Sequence, residues 1–217
     1  GKARGIATGS YHACASGDHH GLLCWGRNSS GQVNGTSGTS VLQPTIIGNG
    51  LARYATSLDA GYLHTCTVSF DGDVVCWGSR TYGQTGGRNM PRKPHFVPSQ
   101  RGARDVSVAN VFSCALPQAG YPSCWGSNGN GQLGRGFVNR HGAPGKVLGL
   151  PKIGGNTASP IRQITAGSRH ACALTSQGRV WCWGQGVYGQ LGQGNSAQVT
   201  LPVEVTELSD VAQVSAS

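Results

Sequence analysis

Eight cysteines and the histidines beside them offer more chemistry than any other residues of this 217-residue chain. Cys14 and Cys24, Cys66 and Cys76, Cys114 and Cys124, and Cys172 and Cys182 stand ten positions apart within each pair. His12, His64 and His170 each precede the first cysteine of a pair by two positions. Zinc would need four ligands at short spacings. One His with two Cys supplies three, and the third pair is preceded by Phe112 instead of His. An even number of cysteines at one repeated spacing suits disulfides in an oxidising space, so we expect four pairings, each within its own repeat, and no metal. The histidines are then expected to be buried donors that satisfy backbone groups.

Other chemistries find no anchor. Gly184-Gln185-Gly186-Val187-Tyr188-Gly189 fits the dinucleotide pattern G-x-G-x-x-G, but that motif needs a helix after it, and the aligned segments WGRNSSG, WGSRTYG and WGSNGNG lack or shift the middle Gly. The eight carboxylates are scattered, with Asp71 and Asp73 in a turn. There is no G-x-S-x-G elbow and no H-E-x-x-H helix. We expect no catalytic residues, no cofactor and no enzyme activity from this chain. Asn28 and Asn34 head N-x-[ST] sequons in a surface loop and are candidate glycosylation sites.

The elements that hold the cysteines are legible from a repeated ruler. A Trp-Gly follows each second cysteine, at Trp25, Trp77, Trp125 and Trp183, and Gly-Gln begins seven residues after it, at Gly31, Gly83, Gly131 and Gly189. The first cysteines lie 52, 48 and 58 residues apart, so a fixed block alternates with a variable one. A period near 50 is that of a propeller blade, a small sheet unable to bury its faces alone. In the last repeat Ala171 to Thr175 and Arg179 to Trp183 flank Ser176-Gln177-Gly178, a three-residue hairpin loop. Mirror pairing sets Cys172 opposite Cys182 at a non-hydrogen-bonded position, where Cα atoms approach to about 4.5 Å and a disulfide fits. Alternation puts His170, Cys172, Leu174, Val180 and Cys182 on one face and Ala171, Ala173, Trp181 and Trp183 on the other. Both faces are apolar, so both must be covered, with the tryptophans expected over small Ala or Thr residues of a neighbour. Repeats run approximately 3–52, 53–103, 104–160 and 161–210, and 211–217 opens a fifth.

The segments AGSRHACALTSQGRVWCWGQGVYGQLGQG and AGYLHTCTVSFDGDVVCWGSRTYGQTGG resemble the repeats of the regulator-of-chromosome-condensation family. The resemblance implies an all-β fold of propeller blades, seven in a complete ring. This chain is then a partial, open propeller in a secreted, disulfide-containing variant, and we expect further blades on a longer polypeptide. The chain starts at Gly1 with no charged-then-apolar leader, so a signal peptide, if one existed, is expected to be already gone.

The charge balance favours either anionic partners or simple solubility. Lys and Arg number 17 against 8 Asp and Glu, giving +9 at pH 7, and no acid occurs between Val106 and Val203. Arg80, Arg88, Arg92, Lys93, Arg101 and Arg104 crowd the variable half of repeat two, and Arg135, Arg140, Lys146 and Lys152 that of repeat three. Adjacent blades would merge them into one basic patch for an acidic protein surface or acidic glycan, with nucleic acid not expected. No apolar run approaches the roughly 20 residues of a membrane span. The expectation is a secreted or cell-surface binding or scaffold module in an oxidising compartment. Its alternatives are a self-assembling subunit of an extracellular fibre, sheath or appendage, and a guanine-nucleotide exchange factor for a small GTPase.

Overall fold

The computed structural model describes residues 3–17, 21–47, 55–151 and 161–216. Sixteen strands among them form four antiparallel four-stranded sheets. Blade one holds β1 (Ala3–Thr8), β2 (His12–Gly17), β3 (Gly21–Gly26) and β4 (Val41–Ile46). Blade two holds β5 (Ser57–Ala60), β6 (His64–Val68), β7 (Val74–Gly78) and β8 (His95–Phe96). Blade three holds β9 (Ala103–Val108), β10 (Phe112–Pro117), β11 (Ser123–Asn128) and β12 (Asn139–Lys146). Blade four holds β13 (Ile161–Ala166), β14 (His170–Thr175), β15 (Val180–Gly184) and β16 (Val199–Glu204). The chain is all-β, an arc of propeller blades. Among the described residues β1 pairs with β2 alone, and no strand closes blade four onto blade one.

The central hairpin of each blade carries the staple. Cys172 faces Cys182 in the register Ala171↔Trp183, Cys172↔Cys182, Ala173↔Trp181, Leu174↔Val180, and the other three blades repeat it. All four disulfides are formed, Cys14–Cys24, Cys66–Cys76, Cys114–Cys124 and Cys172–Cys182, with Cα separations of 4.1 to 4.2 Å. That is the close approach of a non-hydrogen-bonded cross-strand pair. The Trp-Gly glycines keep positive φ of 104 to 110°, and a Cβ there would come within 2.5 to 2.7 Å of the carbonyl oxygen of Tyr11, Leu63, Val111 or Arg169. Only glycine permits the chain to leave the third strand so close to the start of the second.

The core lies between blades, not within one sheet. Cys114, Leu116, Cys124, Leu133 and Val147 of blade three pack with Ala171, Ala173 and Trp183 of blade four. Blades two and three repeat the arrangement with Cys66, Cys76 and Trp125, and blades one and two with Cys14, Cys24 and Trp77. Trp77, Trp125 and Trp183 therefore each lie against the disulfide face of the preceding blade. The expected small Ala and Thr residues are its own sheet neighbours. The alternation that separates the cysteines from the tryptophans on one sheet brings them together across the gap, where the large indole fills space over the thin disulfide.

Candidate functional site

Polar residues that recur in the ruler hold the blades together. Trp77, Trp125 and Trp183 each donate Nε1–H across the gap, to the carbonyl oxygens of Gln32, Gln84 and Gln132 respectively, all at 2.9 Å. The hydroxyls of Thr65 and Ser113 donate to the Gln32 and Gln84 carbonyls at 2.9 and 3.0 Å. His12 Nε2 lies 2.7 Å from Thr65 Oγ1, and His64 Nε2 2.8 Å from Ser113 Oγ. Because each hydroxyl hydrogen goes to a Gln carbonyl, the histidine nitrogen is the donor in that contact. The sequence expectation of histidines serving backbone groups is thus corrected: they serve hydroxyls that in turn serve the backbone. Burial holds both imidazoles neutral, taking His12 down to about 4 and His64, where the nearby His12 adds to the effect, down to about 3.

Inner strands are tied by a second ladder. Asp59 accepts from Ala60 N and, across to the next blade, from Val108 N at 2.7 Å. Ser107 Oγ accepts from Ala166 N in the same way. Burial, with Asp105 adding repulsion, raises Asp59 to about 6 against the pull of those backbone donors. Residues 211–216 continue the pattern: Val214 N donates to Gln163 Oε1 and Ala216 N to Thr165 Oγ1. These bonds to β13 are of the kind that Val108 N makes to Asp59 and Ala166 N to Ser107.

One rim of the arc gathers two loop types. In each blade the loop after the first strand meets the loop after the third through one backbone hydrogen bond, Arg27 N to Tyr11 O, Ser79 N to Leu63 O, Ser127 N to Val111 O and Gln185 N to Arg169 O. The rings of Tyr11 and Tyr62 meet edge-on at 5.5 Å, with the Arg27 guanidinium over Tyr11. A groove of about 320 Å³ continues across blades two to four between Tyr62, Tyr82, Asn110, Asn130, Ser168 and Arg169. Tyr188 stands exposed beyond it. Sequence reasoning missed this tyrosine-arginine rim, although its signal lay in the variable positions just before each His and each Gly-Gln.

The basic residues do not form one patch. Arg80, Arg88, Arg92 and Lys93 sit in the loop between β7 and β8, where Arg80 bonds the Met90 carbonyl and Arg92 the Ser30 carbonyl of blade one. Arg88 reaches His141 on β12 at 3.4 Å and helps line a cleft of about 530 Å³ between blades two and three. Arg140 is exposed at the β12 end that faces this loop. Arg101 lies at the opposite rim, 3.8 Å from Asp73 in the β6–β7 turn. Arg104 donates to the Ile161 and Arg162 carbonyls, and Lys146 stacks on Tyr121. Arg135 turns inward to the carbonyls of Cys124, Ala143 and Gly145, and burial lowers its pKa. Lys152 lies outside the described residues. Successive connections alternate between the two ends of a blade, which is why residues close in sequence separate.

Asn28 is corrected as a glycosylation candidate. Its amide is buried, donates to Asn34 Oδ1 and the Thr36 carbonyl, and accepts from Val33 N, so both hydrogens are engaged. Asn128 does the same in blade three. Asn34 remains exposed.

Stapled four-stranded sheets, stacked face to face with an indole clamp at each junction among the described residues, define a repeat protein of the β-propeller class. The chain belongs to the family of the regulator of chromosome condensation (RCC1) repeat, whose signatures match residues 3–32, 55–84 and 161–190 in one form and 124–174 and 177–217 in another. It is 34% identical over 218 residues to the ultraviolet-B receptor UVR8 of Arabidopsis thaliana, covering 97% of this chain and 48% of the receptor. It therefore spans about half the length of that relative. Among solved structures, human WBSCR16 superposes with a TM-score of 0.81 at 22% identity, covering 94% of this chain and 54% of that one. Prp20p of Saccharomyces cerevisiae, described by its binding to Gsp1p and histones, gives 0.78 at 20% identity, covering 94% and 50%.

Proposed function

We propose that this arc is a non-catalytic binding module of an oxidising, extracellular or cell-surface setting, and that its partner docks on the tyrosine-arginine rim. The observation that carries the reading is that rim itself. Aromatic rings and guanidinium groups on loops held by a rigid frame are the side chains that dominate protein–protein binding energy. Prp20p, described by its binding to Gsp1p and histones, is a precedent for protein partners on this fold. Four disulfides among the described residues favour an oxidising compartment and argue against exchange-factor work in a reducing nucleus or cytosol. The Arg88, Arg92 and Lys93 loop borders the rim and favours an acidic partner surface.

Heparin serves as a polyanion probe. The R88S/R92S variant should elute from a heparin column at lower salt than the wild type, and the R101S/K146S variant, which removes equal charge from the opposite rim, should shift less. Equal shifts would mean that net charge alone governs retention and that this loop guides no partner.

A further inference from the structure

The second strands open on two residues whose identities change together across each junction. His12 of blade one meets Thr65 of blade two, and His64 of blade two meets Ser113 of blade three. At the third junction Phe112 replaces the histidine and Ala171 replaces the hydroxyl, both buried in one apolar cluster. The physical reason is exclusive. A buried imidazole N–H needs an acceptor, and only a hydroxyl can accept it while still donating to the Gln carbonyl behind. A buried phenyl ring needs an apolar methyl. His against Ala would orphan a donor, and each mixed pairing therefore loses something that either matched pairing keeps.

We propose that these positions form a matching key that decides which blade stacks on which, and that the open face of blade four is keyed for a blade bearing Ser or Thr at the place of Thr65. His170, at the key position of blade four, is half-buried, its pKa lowered by burial, and has no hydrogen-bond partner among the described residues. Gln190 lines a cleft with His170 and holds the Gly-Gln place whose carbonyls in the other blades receive Trp77, Trp125 and Trp183. The occupant is a further blade of this repeat type continuing from residues 211–216, which already make the inner-strand hydrogen bonds of such a blade. Blade one presents Ala13 and Trp25 on its own open face, so it is keyed for an apolar residue at the histidine place. His170 and Ala13 do not match, and blade one is the wrong blade for blade four.

Two experiments on the full chain test this. At the second junction, S113A should lower the melting temperature by about 3 to 8 °C, and adding H64F should restore at least half of that. At the third junction, F112H should destabilise and A171S should rescue it. Additive losses at both junctions overturn the key. For the open face, the chain is extended beyond residue 217 by a copy of residues 62–102, carrying Thr or Ala at the place of Thr65. With His at 170 the Thr version should melt higher, and with H170F the Ala version should. The same order in both backgrounds, or no difference, overturns the assignment for blade four.

Discussion

Acid should loosen the blade junctions before it affects the rest of the fold. His12 and His64 donate through Nε2, and their Nδ1 atoms are buried without partners, so a second proton would place a charge where nothing can accept it. In the unfolded chain both titrate near the ordinary 6.5, whereas in the folded chain they stay neutral down to about 4 and about 3. Between those values the unfolded state holds more protons, so stability is full above pH 6.5 and falls as pH falls. Going from pH 7 to pH 5 costs about 2 kcal/mol per histidine. Asp59 works the other way, because its folded pKa near 6 means that the folded state takes up its proton first on acidification. It returns about 1 kcal/mol over the same interval, leaving a net loss of about 3 kcal/mol. For a chain of this size that corresponds to a fall in melting temperature of about 6 to 12 °C. Thermal unfolding followed by tryptophan fluorescence at pH 7, 6 and 5 measures it, with H12Q/H64Q as the comparison, since Gln keeps a donor and does not titrate. The double variant should lose the acid sensitivity and melt slightly higher at pH 5 than at pH 7. A wild-type melting temperature that is flat or rising from pH 7 to 5, or a double variant that retains the wild-type slope, refutes the argument.

Two further outcomes follow from the junctions. C66A/C76A removes a staple closing a short loop and should cost about 2 to 3 kcal/mol, while peptide mapping without reduction should recover Cys14–Cys24, Cys114–Cys124 and Cys172–Cys182 unchanged. W125F leaves the Gln84 carbonyl short of its indole donor and should cost about 1 to 3 kcal/mol by chemical denaturation. W25F, at a half-buried indole on the open face of blade one, should cost less than half as much in the same assay.

The cysteine ruler made the hairpins, their register and the four disulfides legible in advance, because a β-hairpin is local and a period of two allows only one face for each residue. The repeated Trp-Gly and Gly-Gln announced blades, and two apolar faces announced a stack. What joins one blade to the next was not legible. Gln32 and Trp77 are 45 positions apart, and the acceptor is a main-chain carbonyl, which carries no signature in the side-chain sequence. The pairing of His64 with Ser113 across 49 positions was hidden in the same way. The basic patch failed because charge density along a sequence says nothing about which end of a blade a connection leaves from: Arg88 and Arg101 lie 13 positions apart in sequence and on opposite rims. Asn28 was read as a surface sequon because three residues cannot report that an amide is buried beneath its own loop. Local periodicity determined the blades, and only the stacking of blades decided which side chains became clamps between blades and which remained exposed on the rim.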